Sequence, residues 1–475
     1  MLSSCDVDMN VRKDRSLDEL ASQGNVAQFV SFCPSAESMP TQTYCRIWGY
    51  PANHGFATAE EAVRNLLRQS PERSINLRSF TPENPRSREF IYGIREIGTC
   101  MTHLHRLVNE GLYVIANETV DVSDGGVSGV IEGGVIEFAP DDTPRCVEKP
   151  GTVSLALDQG LAILKTVYGF HPELPESTGR RIEFSIHPKR RGFSRTHTLL
   201  WECEATSACN HESTLIWPNR FSRLIGDKGF GLLVADSIGM PVPQTTLISR
   251  RLRPFTFGRE TGCHESWIRT CPIEQDPGRY TTANRWLDPF ALLAEEDPDQ
   301  VAIASILSQA AVPAQYSGAT IITRDGSLHI EGTPGSGDAL MLGRARPERL
   351  PDHICRDIRH LDQSLRERLG PVRFEWVHDG KRPWIVQLHK GATRSTMLTI
   401  VPGEAKEWVT FRSSEGLESL RDLLATLPAG TGVRFEGEIG LTSHIADLAR
   451  KSGRPSRVIR KSRSSAKQLP LDICD

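Results

Sequence analysis

No run in this sequence approaches the roughly 18 apolar residues that a bilayer span needs, and the opening MLSSCDVDMNVRKDRS lacks the basic-then-apolar order of a signal peptide. A cytoplasmic protein without a membrane segment is the expectation. No Cys-x-x-Cys pair occurs, and the 11 cysteines are odd in number and scattered, which argues against a disulfide framework and a zinc ribbon. His197, Cys203, Cys209 and His211 lie near one another but fit no standard zinc spacing, so ordinary packing is expected of them. Charge of one sign is also missing: 56 basic and 59 acidic residues leave a formal net charge of −3, so the chain as a whole attracts neither nucleic acid nor anionic lipid. What is present, 38% hydrophobic and 24% charged residues over 475 positions, is the balance of a globular protein of roughly three domains.

The chain repeats itself weakly. LRSFTPENP around Arg78 resembles IRTCPIEQDP around Arg269, and VSGV at Ser128 resembles YSGA at Ser317. Glu137, Glu183 and Glu202 sit in segments that resemble those of Glu331, Glu375 and Gln387. All five pairs keep the same order and lie roughly 190 residues apart, which points to an ancient duplication. The expected division is an N-terminal segment 1–39, a first copy 40–215, a second copy 216–392, a third domain 393–462 and a basic tail 463–475. Within both copies, β-rich runs such as YVIANETV and RPWIVQLH alternate with turns such as RDG and with amphipathic helical stretches, so an α+β fold is expected.

GDKGFGLLVADSIGMPVPQTTLIS (226–249) places a lysine between glycines at the start of a helical pattern, ahead of a Pro-x-Pro turn and a strand. A lysine so placed can approach and neutralise phosphates. Four more segments follow it: SWIRTCPIEQDP, ILSQAAVPAQYSGATIITRDG, HIEGTPGSGDALMLG and FEWVHDGKRPWIVQLHKGAT. In this order they resemble the ATP-binding domain of the phosphoenolpyruvate synthase and pyruvate phosphate dikinase family, which has an ATP-grasp-like fold. The resemblance implies ATP bound by Lys228, Arg269, Gln309, Glu331 and Gln387, and Mg²⁺ held by Glu375 and Asp338. Cations against the phosphate oxygens and carboxylates for the metal are what triphosphate transfer requires. Departures are visible: only about 26 residues separate the Pro-x-Pro turn from Arg269, the family's Arg-Ser-Ser reads Arg-Thr-Cys, and His389 replaces an arginine. The first copy looks degenerate, with Glu202 at the glutamine position and no glycine-lysine signature about 190 residues before Lys228. Its basic run Lys189, Arg190, Arg191 and Arg195 reads as a solvated face.

GEIGLTSHIADLARKSGRPSRVI (437–459) reads as a turn, a helix from about Ser443 to Lys451 capped by Thr442 or Ser443, and a strand. An imidazole in the first turn, at His444, can attack phosphorus and have its phosphorylated form favoured by the helix N-terminus. The segment resembles the phosphohistidine signature of the same family, with Ile439 in place of a glycine and Asp447 in place of an apolar residue. A small α/β domain is implied. With no room for a pyruvate-binding barrel, the arrangement is similar to the rifampicin phosphotransferases, and the acceptor is an unidentified small molecule. The expectation is therefore a dikinase-type phosphotransferase in which ATP, held with catalytic help from Lys228 and Arg269, phosphorylates His444. The alternatives are a catalytically reduced ATP-binding module and an ATP-grasp ligase that forms an acyl phosphate. The basic stretch 450–467 is the one local feature with any pull on nucleic acid, and neither a membrane nor a defined oligomer is indicated.

Overall fold

Alternating apolar and polar residues build most of this chain into antiparallel sheets, and the intervening period-3.6 stretches cover them as helices. The computed structural model describes residues 12–35, 39–82, 84–142, 150–206, 212–274, 278–391, 395, 398–437 and 439–459. The fold is mixed α and β, in two compact units, Met1–Ile216 and Trp217–Asp475.

In the first unit, helix α1 (Lys13–Ala21) precedes a sheet of β1 (Phe29–Pro34), β2 (Pro40–Arg46), β3 (Ile75–Thr81), β4 (Asn84–Ile94) and β5 (Tyr113–Glu118), ordered β2-β1-β5-β3-β4. Helices α2 (Ala59–Gln69) and α3 (Ile97–Asn109) bury Ala62, Val63, Leu66, Leu104 and Leu107 against Val30, Leu77 and Val114 of this sheet. Thr58 caps α2 by accepting from the Glu61 N–H. A second sheet follows, of β6 (Val127–Glu132), β7 (Val135–Pro140), β8 (Val153–Ala156), β9 (Arg180–Arg191) and β10 (Thr196–Ala205), ordered β10-β9-β6-β7-β8, with α4 (Leu157–Tyr168) between β8 and β9.

The second unit opens with α5 (Arg220–Ile225) and α6 (Asp227–Ser237). Its first sheet has β11 (Thr245–Ser249), β12 (Phe255–Phe257), β13 (Ser266–Pro272), β14 (Thr282–Ala283) and β15 (Ile303–Ala310), ordered β12-β11-β15-β13-β14, with α7 (Pro289–Glu296) before β15. Its second has β16 (Tyr316–Ile322), β17 (Leu328–Pro334), β18 (Val372–His378) and β19 (Pro383–Lys390), ordered β17-β16-β18-β19, with α8 (Asp338–Met341) and α9 (Asp352–Leu369) between β17 and β18. A third sheet, ordered β20-β23-β22-β21, pairs β21 (Glu407–Arg412), β22 (Thr431–Glu436) and β23 (Ser456–Ile459) in parallel and β20 (Thr399–Val401) antiparallel to β23. Helices α10 (Gly416–Thr426) and α11 (His444–Ser452) make the two crossovers that parallel strands require.

Advancing each of β1 to β5 by ten converts the strand order of the first unit's leading sheet into that of the second unit's. The correspondence extends to register. Glu331 on β17 stands opposite Ala319 on β16, Ala319 opposite Glu375 on β18, and Glu375 opposite Gln387 on β19. In the first unit Glu137, Val130, Glu183 and Glu202 form the same row.

Two expectations need correction. The segment 1–39 is not separate from the first copy, because β1 lies between β2 and β5, and α1 precedes β1 as α6 precedes β11. In element order the Lys228 region stands where Arg12–Lys13 stands in the first unit, at a spacing other than 190 residues because α2 occupies the β2–β3 connection while no helix lies between β12 and β13. Nor is the basic run a solvated face: Arg191 is buried and pairs with Glu72 at 2.9 Å and Asp124 at 3.1 Å, although Lys189 and Arg190 are exposed. Among the described residues no helix is long and apolar enough to cross a membrane.

Candidate functional site

Helix α6 carries Lys228 at its second position, and the glycines around it exist for close approach. A Cβ on Gly231 would lie 2.2 Å from the Leu388 carbonyl oxygen on β19, and one on Gly229 would lie 2.5 Å from Leu247 on β11. Gly226, with φ of +84°, sits against Cys271 on β13. The helix is thus pressed onto both sheets, which puts Lys228 where they meet. Burial pushes its ammonium below the usual lysine range, and Arg269 adds repulsion, while Glu375 and Glu296 act in the opposite direction. Arg269, Glu375 and Glu296 are therefore all close enough to feel its charge.

Arg269 on β13 donates from Nη1 to the Val386 carbonyl at 3.0 Å, and its buried Nε–H has no hydrogen-bond partner. Glu375 has neither a hydrogen bond nor an ion pair among the described residues. Gln387, opposite it, donates from Nε2 to Nε2 of His389 at 2.7 Å. Since an amide nitrogen can only donate, the His389 ring accepts there and carries its proton on Nδ1. Burial, with Arg373 and Lys228 nearby, pushes His389 down to about 3, so it stays neutral in any ordinary buffer.

The corresponding row in the first unit is closed off. Glu183 is paired with Arg181, two residues before it on β9, at 2.5 Å. In the second unit the equivalent arginine, Arg373, turns instead to Asp447 on α11 at 2.7 Å. Asp447 also takes Arg450 at 2.9 Å. Burial alone would raise the Asp447 carboxyl, but Arg373, Arg450 and His444 hold it below the usual range.

Glu331, expected at the nucleotide, has its carboxylate turned to the loop before α11. Its buried carboxylate accepts from the Leu441 N–H at 2.9 Å, the Thr442 N–H at 2.9 Å and the Thr442 hydroxyl at 2.6 Å, and from His329 at 3.2 Å. Burial would raise it, yet these donors outweigh burial and hold it ionised. Glu331 therefore ties the loop before α11 to β17. Ser443 caps that helix, accepting from the Ala446 N–H at 3.4 Å. His444 is half-buried in the first turn, with a buried Nδ1 that has no hydrogen-bond partner, and acts on the charge of Asp447.

The structure thus gathers Lys228, Arg269, Glu375 and Gln387 around one face and holds His444 at the edge of the same unit through Asp447 and Arg373. Two expected residues lie elsewhere. Asp338 is exposed at the start of α8, where its carboxylate accepts from Ser336 at 2.9 Å, and Gln309 is buried in the β11–β15 sheet, donating to Thr245 at 3.3 Å. Among the described residues no three His, Cys, Asp or Glu side chains converge as a metal cage. Cys209 and His211 lie outside the described residues, while His197 is committed to the His187 carbonyl at 2.9 Å. Sequence reasoning missed Arg373 and Glu296. Period-two alternation was the available signal for Arg373, which shares a strand face with Glu375.

No protein-family model matches the chain, and no curated protein does. Among solved structures it is similar to a RimK-domain ATP-grasp protein from Sphaerobacter thermophilus, with 20% identity and a TM-score of 0.22 over 35% of this chain and 58% of that one. It is also similar to the D-cycloserine synthetase DcsG, with 17% identity and a TM-score of 0.23 over 43% of this chain and 64% of that one. The chain thus spans less than two thirds of either structure, and both of these neighbours are ATP-grasp or synthetase proteins by description.

Proposed function

We propose that the second unit is an ATP-dependent phosphoryl-transfer site of the ligase kind, in which an acid acceptor seated beside the triphosphate is activated as an acyl phosphate and ADP leaves. One observation carries this reading. Around a single face stand a guanidinium N–H without an acceptor at Arg269, and Lys228 and Glu375, which feel each other's charge but form no hydrogen bond or ion pair among the described residues. Two positive groups and one carboxylate left with hydrogen-bonding capacity are complementary to a triphosphate and its metal. Glu375 would hold Mg²⁺ with Gln387 beside it, a donor set of the hard oxygen type that Mg²⁺ takes together with phosphate oxygens. When bound, Mg²⁺ neutralises charge on the phosphoryl group. Lys228 and Arg269 orient and neutralise the phosphates, and the neutral His389 anchors Gln387 without competing for them. The matching rows of the two units support reading the chain as a tandem duplication whose first copy has lost this pattern, since Arg181 covers Glu183.

Ligase chemistry is favoured over a swinging histidine carrier by the packing of α11. Its loop is tied to Glu331, and its helix shares a core with Ile321 of β16, so His444 is fixed to the sheet. A second reading retains His444 as an in-place acceptor, on the strength of its unbonded Nδ1 at a helix N-terminus. Product analysis separates the two. Protein, Mg²⁺-ATP, hydroxylamine and a panel of carboxylic acids should give ADP and a hydroxamate. AMP release with label on His444 would overturn the ligase reading in favour of the second.

A further inference from the structure

The last sheet of the second unit is covered on one side only. Leu420 of α10 and Ile445, Leu448 and Ala449 of α11 share a core with Phe411, Val433 and Phe435, so both helices lie on the face that those strand residues present. Parallel strands are ordinarily buried on both faces. Here the other face is open, and one row of side chains crosses all four strands: Thr410 on β21 stands opposite Arg434 on β22, Arg434 opposite Arg457 on β23, and Arg457 opposite Thr399 on β20. Thr410 and Arg457 are exposed, and Arg434 is half-buried. Trp408, two residues before Thr410, lies against Gly432 on the next strand, where a Cβ would meet the indole at 2.9 Å. The guanidinium carbons of Arg457 and Arg434 stand over that indole, 4.3 Å and 5.6 Å from its centroid. Neither guanidinium makes a hydrogen bond or an ion pair among the described residues. Glu436, the carboxylate that these strands put on the same face, accepts from Arg412 at 3.1 Å.

We infer that this open face binds single-stranded RNA. A guanidinium stacked on an aromatic ring is held planar with its N–H edges outward, the form that takes a phosphate through paired charge-assisted hydrogen bonds. Arg434 and Arg457 are rooted on neighbouring strands, about 4.8 Å apart, so one phosphate strand can be met by both. The hydroxyls of Thr410 and Thr399 end the row on either side and can bond a ribose 2′-OH, the group that separates RNA from DNA. A four-stranded sheet with helices behind it and aromatic and basic side chains in front is an architecture that single-stranded RNA lies across. The structure also sorts the basic stretch 450–467. Arg450 is committed to Asp447, and Arg454 to the Leu427 and Pro428 carbonyls at 2.6 and 2.7 Å. Arg457 is left for a partner, and the sequence continues past β23 as RKSRSSAK (460–467), with four basic residues and no acid. This surface is independent of the ligase reading.

The test titrates the full chain into a fluorescent oligouridylate of about 12 nucleotides, read by anisotropy over a range of KCl. Log affinity should fall linearly with log salt. Arg434→Gln/Arg457→Gln should lose about tenfold or more in affinity. Its salt slope should be shallower by about 1.4, from two phosphate contacts at about 0.7 each. Arg434→Lys/Arg457→Lys keeps the charges and should keep the slope. Trp408→Leu should also keep the slope but lose about twofold to fivefold in affinity, because the ring that holds both guanidiniums is gone. No binding by the wild type overturns the proposal. An unchanged affinity or slope in the glutamine double variant does so too, since binding would then come from elsewhere in the chain. Equal affinity for the deoxyuridine oligonucleotide or for polyglutamate likewise overturns it, by making charge alone responsible.

Discussion

Replacing Glu331 by glutamine should release α11 from the sheet. The wild-type carboxylate receives two backbone N–H groups and one hydroxyl from Leu441 and Thr442, at 2.6–2.9 Å, inside the fold. Hydrogen bonds to a charged group contribute about 1.5–3 kcal/mol each. Glutamine keeps one acceptor oxygen but turns its NH₂ toward a backbone N–H, so it loses at least one charge-assisted bond and strands a buried donor. The combined cost is about 3 kcal/mol, which raises the local opening equilibrium by roughly a hundredfold. Hydrogen exchange followed by mass spectrometry reads this directly: peptides over residues 441–452 should exchange about a hundred times faster, and those from β1 to β5 should not change. Thr442→Val, which removes one hydroxyl, should move the same peptides by about tenfold. Acid should mimic the effect. Glu331 has a depressed pKa in the fold, so its contribution is present above the ordinary glutamate range and is lost as pH falls through the folded value. Unchanged exchange over 441–452 in Glu331→Gln would refute the anchoring role.

Lys228→Ala should weaken ATP by about 10- to 100-fold in a fluorescent-nucleotide titration, because a cation facing the phosphates is removed. His444→Ala should retain ADP formation, and a complete loss of product by chromatography would return the histidine to the centre of the chemistry. In Gly231→Ala the new methyl meets the Leu388 carbonyl at 2.2 Å, so α6 must shift; a thermal melt should show a loss of about 1–3 kcal/mol, with weaker ATP binding alongside it. Asp362 is raised to about 6 by burial, which its Arg366 partner only partly offsets. Its folded pKa exceeds the unfolded one, so its penalty appears as pH rises from about 4 to about 6. Asp362→Asn should therefore raise the melting temperature at pH 8 and leave it nearly unchanged at pH 4.

Strand register is what made the matching landmarks readable. Arg78 and Arg269 fall on β3 and β13, and the acidic landmarks fall in matching rows, because a strand keeps its facing residues only if its period of two survives. The helix at His444 was equally readable, since a serine cap and a closing glycine are local signals. Hidden were the features set by distant partners. The partners of Glu331 lie 110 and 111 residues away in the chain, and nothing at Glu331 itself distinguishes an anchor from a ligand. Arg191 reads as one more charge in a basic run until Asp124 and Glu72 are brought to it by the fold. The like placement of α1 before β1 and of α6 before β11 was obscured because α2, between β2 and β3, changes the spacing without changing the strand order.

Ile321, on β16, is buried among Ile400, Phe411, Val433, Phe435 and Ile445, all from residues after β19. Inheritance of the last segment is therefore not modular. A gene fragment ending at Lys390 would encode a sheet with an apolar residue facing water and a carboxylate stripped of its donors, and one beginning there would encode a core short of a side chain. Shuffling between relatives can preserve both only by moving residues 316–459 as one block, and libraries of chimaeras crossed within that block should be depleted of soluble members.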